Sequence, residues 1–144
     1  MNIAHVLARK GGHVFTIPPE QTIREALAVL ARHNIGALVV VDKNDRPTGI
    51  ISERDIVRAA VRDEHLFGRP VRDLMTKDVI AGTPEDDLRA VAHTMTEKRI
   101  RHLPVVVGGR LVGIVSIGDV VKAQRDQYEG EIETLQLQIT DDRS

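Results

Sequence analysis

An internal repeat constrains the fold of this chain more than any other feature, because a duplicated sequence must form two copies of one structural unit. Residues 14–57 align with residues 79–121. Equivalent residues are 65 positions apart up to a turn and 64 positions apart after it. The one-residue difference lies in the turn, because the turn at 42–45 is longer than the equivalent turn at 108–109. Because the length changes only in a turn, we predict two similar units within the 144 residues.

Each repeat is predicted to contain a strand, a helix, two strands and a second helix. The first helix has capping-box spacing from Thr22 to Glu25, followed by apolar residues at helical period. In the second repeat, Thr83 is predicted to be the N-cap and Pro84 the first helical residue. The second helix of each repeat is predicted to begin at the serine of a motif described below.

The strands are predicted from apolar runs and from the turns between them. Continuous apolar runs are typical of strands that are covered on both faces, and Gly108-Gly109 between two such runs indicates a hairpin. The predicted strands are residues 14–17, 37–41 and 48–51 in the first repeat, and residues 79–81, 103–107 and 111–115 in the second. The pattern therefore predicts an α/β (α+β) fold of two tandem β-α-β-β-α units related by pseudo-two-fold symmetry.

Short segments flank the repeats. Residues 2–8 are predicted to form a leading helix, and residues 62–70 a linker. In the polar tail, apolar residues spaced by 4, 3 and 4 form a narrow helical stripe at Tyr128, Ile132, Leu135 and Ile139. The stripe is expected either to pack on the rest of the chain or to pair with a second copy. The predicted domains are 1–66, 67–125 and the tail 126–144.

Composition excludes several classes of function. The chain has no cysteine, so it has neither disulfides nor thiol chemistry. The net charge is −1 and aromatic residues make up 2%, which disfavours nucleic-acid binding. The longest uncharged apolar run, residues 35–41, is too short to span a bilayer, and no signal-peptide pattern is present. A cytoplasmic protein is expected.

A Gly-aliphatic-aliphatic-Ser-x-x-Asp motif occurs in each repeat, from Gly49 to Asp55 and from Gly113 to Asp119. Glycine permits the close approach of another group, and the start of a helix presents backbone N–H groups to anionic ligands. The aspartate lies one turn after the serine and can accept two hydrogen bonds from a ribose diol. The alternative is a simple helix cap with serine at the N-cap. The duplication favours a binding role, and the two roles are compatible.

The basic stretch 98–102 is the second candidate feature. The helix dipole explains cations at a helix C-terminus, but Arg101 and His102 follow the predicted helix end. Guanidinium and imidazole groups suit phosphate oxygens. The corresponding stretch of the first repeat, residues 33–37, contains no arginine. We therefore predict two unequal sites.

Together, the duplication, the two motifs and Arg-His-Leu-Pro at 101–104 resemble a CBS domain pair, the Bateman module. The resemblance covers about residues 14–122 and is greatest to small proteins that consist of the pair alone. It implies an adenosyl ligand, namely AMP, ADP, ATP or NAD(H), with S-adenosylmethionine ranked below them and no metal. It also implies a disk-like homodimer.

The resemblance further implies two clefts between the repeats, in which the motif residues hold ribose and phosphate. Ala37 stands where the family carries a charged residue, and Arg54, within the first motif, is the candidate substitute. The predicted binding residues are Ser52, Arg54 and Asp55 in the first motif, Gly113, Ser116 and Asp119 in the second, Arg101 and His102 at the phosphate, and Thr16, Ile17, Ile80 and Ala81 beside the adenine.

Two other functions compete with this interpretation. Catalysis is disfavoured because the six histidines form no metal-ligand pattern, no base lies beside a motif serine, and no phosphate-binding glycine fingerprint is present. The other competitor is a protein-interaction or dimerisation module with empty clefts. We predict a non-enzymatic regulatory module in which a nucleotide shifts a conformational equilibrium that an unknown target protein recognises.

Overall fold

The computed structural model describes residues 1–143 and the side chains of residues 1–139. The helices are α1 (Ile3–Lys10), α2 (Ile23–His33), α3 (Glu53–Ala60), α4 (Leu88–Lys98) and α5 (Ile117–Arg143). The strands are β1 (Thr16–Ile17), β2 (Ala37–Val41), β3 (Pro47–Ser52), β4 (His102–Val107) and β5 (Arg110–Ser116). Short 3₁₀ turns at Leu66–Gly68 and Val71–Asp73 join the repeats. The predicted α+β fold of two tandem units is confirmed.

Two small sheets carry the repeats. β1 is parallel and β3 antiparallel to β2, and β4 and β5 form a separate antiparallel pair. All five residues of β2 are buried, as its continuous apolar run predicts, and each of its leucine and valine side chains contributes roughly 1.5–3 kcal/mol. Irregularities in register fall at Val40/Val41 and at Val105/Val106, which are equivalent positions. The two hairpins therefore share one geometry.

Helix α4 begins four residues later than predicted, so the predicted start at Thr83-Pro84 was wrong. Its N-cap is Asp87, whose carboxylate accepts a backbone N–H of the first turn. Thr83 instead closes a turn with the Asp86 carboxylate, which accepts from its N–H at 2.9 Å and its hydroxyl at 3.1 Å. The carbonyl of Pro84 accepts the N–H of Ala4 in α1 at 2.9 Å. The local bonds from Thr83 and the tertiary bond from Ala4 together hold the segment in a turn.

The first strand of each repeat is shorter than predicted. In the first repeat, Thr16–Ile17 forms a strand beside β2. In the second repeat, residues 79–81 form no strand, and pairing is reduced to one parallel bridge between Gly82 and Val105. A Cβ on Gly82 would come within 2.8 Å of the Leu103 side chain, so glycine permits this close contact.

The segment that precedes each repeat packs into the core of the other repeat. Ile3 and Val6 of α1 are buried in the second-repeat core, and Val71 is buried in the first-repeat core. Equivalent hydrogen bonds hold the two segments, since Ile3 N–H donates to Asp86 O at 3.0 Å and Val71 N–H donates to Gln21 O at 2.7 Å. This reciprocal exchange ties the repeats into one body and gives it pseudo-two-fold symmetry.

The motif glycines make room for these crossing segments. A Cβ on Gly113 would come within 2.8 Å of the Leu7 side chain of α1. A Cβ on Gly49 would come within 2.5 Å of the Met75 sulfur, at the equivalent position. Close packing between the repeats therefore explains the glycine of both motifs.

The predicted helical tail continues from α5 without interruption. Its stripe does not pack on the rest of the chain, since Tyr128, Ile132, Leu135 and Ile139 are each 52–57% exposed. The expectation that the stripe packs on the chain was wrong, and pairing with a second copy stays a prediction. The tail prediction extends to Ser144, which lies outside the described residues. Within residues 1–143, no helix is both long and apolar enough to cross a membrane.

Candidate functional site

Both motif serines cap the helix that follows them. Ser52 Oγ accepts the N–H of Asp55 at 3.1 Å, and Ser116 Oγ accepts the N–H of Asp119 at 3.1 Å. The helix-cap interpretation is therefore correct for both motifs. The cap also positions each aspartate on the first turn of its helix, next to the strand end, which leaves a binding role open.

A cleft of about 630 Å³ lies between the first motif and the start of β4. This volume is in the range of small-molecule sites. Ser52, Arg54 and Asp55 line it from the first repeat, and Arg101 and His102 line it from the second. The lining also contains Gly36, Ile50, Glu53, Val57, Arg58, Thr76, Arg99 and Ile100. The structure thus brings five of the predicted binding residues together, and the two repeats share the site.

The cleft contains four guanidinium groups that lack acidic partners. Within the side chains that the structure describes, Arg54, Arg58, Arg99 and Arg101 have no carboxylate within 4.0 Å. The carboxylate of Asp55 likewise forms no hydrogen bond or ion pair with another described side chain. Unpaired cations in a concave surface create a positive potential and suit phosphate oxygens.

Arg99 is a lining residue that the sequence analysis attributed to the helix dipole. It ends α4 in the left-handed conformation, with φ 55°. The equivalent residue of the first repeat is Asn34, with φ 51°. Asparagine tolerates this conformation, whereas arginine adopts it at a cost of about 1–2 kcal/mol. The sequence signal that could have identified Arg99 is its alignment with Asn34, because asparagine is expected at a left-handed helix end and arginine is not, and such strain concentrates at binding sites.

His102 lies between the two motifs. It pairs with Ser116 across the β4–β5 hairpin, and its ring faces Gly36, where a Cβ would lie 3.6 Å from Cε1 and Nε2. Burial lowers the pKa of His102, and the nearby charge of Lys10 lowers it further. Asp119, Arg101 and Glu53 act more weakly on it, the two carboxylates in the opposite direction. The imidazole is therefore mainly neutral at pH 7 and can donate one hydrogen bond and accept another.

In the second motif, a lysine from elsewhere in the same chain already binds the aspartate carboxylate. Lys10 Nζ donates to Asp119 Oδ2 at 2.6 Å and to the carbonyl of Ile114 at 2.8 Å. The N–H of Ser116 donates to the same carboxylate oxygen at 2.9 Å. Burial alone would raise the pKa of Asp119, but the hydrogen bonds from Lys10 and Ser116 hold it below its usual range. Lys10 was not among the predicted site residues, since its contact depends on the packing of α1.

The residues predicted beside the adenine do not line the 630 Å³ cleft. Ile17 is buried in the first-repeat core, and Ile80 packs against the second-repeat core. Thr16 and Ala81 are exposed. Gly113 contacts Leu7, as described above, and Ser116 and Asp119 lie outside this cleft. No group of three or more metal-type ligands occurs among the described residues.

Comparisons with known proteins identify the family. The CBS domain model matches residues 5–62 and 71–126. An uncharacterised 17.7 kDa protein of Acidianus ambivalens is 41% identical over 116 residues, which are 80% of this chain and 70% of that protein. The crystal structure of a CBS-domain protein from Agrobacterium tumefaciens superposes with a TM-score of 0.83 at 40% identity, covering 86% of this chain and 99% of that one.

Two similar structures were solved with ligands. The CBS domain pair of MJ0100, in complex with 5′-methylthioadenosine and S-adenosyl-L-methionine, has a TM-score of 0.79 and 27% identity, covering 88% of this chain and 98% of that one. CBSX2 in complex with AMP has a TM-score of 0.71 and 28% identity, covering 80% and 90%. With a family match on each repeat and a fold shared with solved members, this chain belongs to the CBS domain family, as a tandem pair.

Proposed function

We propose that this chain is a non-catalytic regulatory module that binds an adenine nucleotide, namely AMP, ADP, ATP or NAD(H), in the cleft between its repeats. The observation that carries the proposal is that one cleft combines the Asp55 carboxylate with four guanidinium groups, none of which is paired with another side chain of residues 1–139. A carboxylate can accept both hydroxyls of a ribose diol, and guanidinium groups bind phosphate oxygens in bidentate fashion. The relatives solved with AMP and with two other adenosyl compounds support this ligand class.

The charge of the cleft favours phosphorylated ligands within that class. Arg54 and Arg58 stand one turn apart on α3, and Arg99 and Arg101 face the cleft from the other repeat. S-adenosylmethionine carries a positively charged sulfonium and no phosphate, so these arginines would repel it. We therefore rank AMP, ADP, ATP and NAD(H) above S-adenosylmethionine for this chain.

The proposed mechanism of regulation is a population shift. A nucleotide that contacts Asp55 in one repeat and Arg101 in the other stabilises the arrangement in which both contacts are made. It shifts the equilibrium only by the difference in its affinity for the two arrangements. A target protein that recognises one arrangement would then respond to the nucleotide concentration.

A second candidate function is an interaction or dimerisation module, and the exposed stripe of α5 favours it. Tyr128, Ile132, Leu135 and Ile139 present an apolar row to solvent. Pairing of two copies along this row would bury it. Sedimentation of the purified chain and of a variant with Ile132→Glu and Leu135→Glu tests this function, which predicts a dimer that the double substitution converts to a monomer.

Thermal unfolding with added nucleotides tests the proposed function. A ligand at 100 times its Kd adds about 2.7 kcal/mol, which raises the Tm of a chain of this size by roughly 5–10 °C. We expect that shift with at least one of AMP, ADP, ATP, NAD+ and NADH. The Asp55→Asn variant is the control and should lose it. No shift with any of them, on protein freed of bound nucleotide, would contradict the proposal.

A further inference from the structure

The ammonium group of Lys10 lies on the second motif. It donates hydrogen bonds to Asp119 Oδ2 at 2.6 Å and to Ile114 O at 2.8 Å, and the side chains of Lys10 and Asp119 are 32% and 26% exposed. A half-buried, charge-assisted hydrogen bond of this length is among the stronger polar contacts in proteins. Asp119 is therefore engaged by an internal cation in this structure.

Packing of α1 holds Lys10 in this position. Leu7, three residues earlier on the same helix face, lies where a Cβ of Gly113 would be. Helix α1 ends directly after Lys10, because Gly11 follows with φ 93° and donates its N–H to Leu7 O. A lysine in the last turn is also stabilised by the helix dipole. The contact thus depends on buried packing and on a defined helix end.

The first motif has no equivalent cation. The segments that precede the two repeats are 68 positions apart, as the equivalent residues Ile3 and Val71 show (71 − 3 = 68). The residue that corresponds to Lys10 is therefore Asp78 (10 + 68 = 78), which is acidic. An acid at this position cannot bridge to Asp55. The difference between the motifs is thus present in the sequence of the crossing segments.

We propose that Lys10 takes the position of the ribose at the second motif and thereby limits the chain to one bound nucleotide, in the cleft of the first motif. This inference rests on the proposed function. A ribose diol approaching Asp119 must displace a charged donor from a carboxylate oxygen that also accepts the N–H of Ser116. Asp55 offers the same group without that competition. Lys10 is therefore the residue that makes the two halves unequal.

The test compares nucleotide stoichiometry in wild type and in Lys10→Met by equilibrium dialysis with AMP and, separately, with ATP. We expect one nucleotide per chain in wild type and two in the variant. Removal of the competing charge-assisted hydrogen bond should tighten the second site by about tenfold or more. Arg9→Met is the matched control, because Arg9 is the neighbouring cation of α1 and pairs with Asp126 at 3.2 Å, away from Asp119.

Each result has one meaning for the inference. A higher number of bound nucleotides per chain in Lys10→Met than in wild type supports the inference. Equal numbers, whether zero, one or two, overturn it. A lower number also overturns it, since Lys10 would then hold the nucleotide phosphate. The wild-type number separately tests the proposed function, which fails if that number is zero.

A second variant keeps the inference testable if Lys10→Met unfolds. Asp119→Asn in the otherwise intact chain should still bind one nucleotide with the wild-type Kd, because Asp119 is engaged by Lys10. Loss of that nucleotide would overturn the inference. The chain also offers a spectroscopic readout, because the pKa of His102 is lowered first by burial and then by the nearby charge of Lys10. Lys10→Gln should raise the pKa of His102 in an NMR titration. An unchanged pKa would contradict the position of Lys10 beside the second motif.

Discussion

The first and second motifs share a spacing and a backbone geometry but differ in what surrounds their aspartates. Both serines cap a helix at 3.1 Å, and both glycines accommodate a crossing segment. The carboxylate of Asp55 faces an arginine-lined cleft, whereas that of Asp119 is bound by Lys10. Duplication therefore reproduces the backbone geometry of the motif, while a few nearby side chains determine what its carboxylate contacts.

At two pairs of equivalent positions, one repeat carries an arginine and the other repeat a glycine. Arg54 in the first motif corresponds to Gly118 in the second, 64 positions on. Arg101 in the second repeat corresponds to Gly36 in the first, 65 positions back. All four positions are exposed or half-buried, so the core does not restrict them. The two halves can therefore have diverged in charge without a change of fold.

The largest expected difference between the halves is in nucleotide affinity. Asp55→Asn should weaken binding by about 100-fold, because the amide loses the charged acceptor for the two ribose hydroxyls. Asp119→Asn should change the Kd less than about threefold, since Lys10 already engages that carboxylate. Isothermal titration calorimetry of the two variants measures both effects. Equal losses would remove the functional distinction between the motifs.

Packing at the motif glycines should also differ between the halves. In the variant Gly49→Ala, the added methyl group would meet the Met75 sulfur at 2.5 Å and the carbonyl of Thr76 at 3.0 Å. In Gly113→Ala, its three nearest atoms would all belong to the Leu7 side chain, whose flexible end can move. We expect Gly49→Ala to lower the free energy of unfolding by about 1–3 kcal/mol and Gly113→Ala by less. Urea denaturation measures both values, and the reverse order would contradict the packing described here.

Each cation of the cleft is expected to contribute less to nucleotide affinity than Asp55 does. Arg101→Ala should weaken ATP binding by about tenfold, the loss of one charge-assisted contact to phosphate. Lys98→Ala removes a nearby cation that does not line the cleft, and it should change the Kd little. Calorimetry in the same buffer compares the two variants. Similar effects of both would indicate a general electrostatic attraction in place of a defined phosphate contact.

The smallest expected effect is the pH dependence of stability that His102 causes. Its pKa is lowered from 6.5 in the folded chain, mainly by burial, so the unfolded state binds more protons below that value. This contribution is fully present above pH 6.5 and is lost as the pH falls through the lower folded-state pKa. We expect His102→Gln to abolish this component, measured by urea denaturation between about pH 7.5 and about pH 5.

The same substitution at His93, which is exposed on α4, is the control for this pH series. If stability falls equally toward low pH in His102→Gln and in wild type, the pH dependence arises from other groups. The position of His102 between the two motifs would then have no measurable electrostatic consequence.

Much of the fold was predictable because its signals are local. The repeat, the buried run of β2, the cap at Thr22 and the Gly108-Gly109 hairpin all depend on neighbouring residues, and the structure contains each of them. The start of α4 was not predictable in this way. Thr83 has the local features of a cap, but hydrogen bonds from α1 to the carbonyls of Pro84 and Asp86 help to hold that segment in a turn.

The sequence by itself determined that the chain is a duplicated α+β unit with a Ser-x-x-Asp helix cap in each half, because periodicity and capping act over a few residues. Only the tertiary structure decided which groups meet. It brings Arg101 of the second repeat to Asp55 of the first in one cleft, and it carries Lys10 across 109 positions to Asp119. These residues are far apart in the chain, so their proximity follows from tertiary packing and from no local pattern.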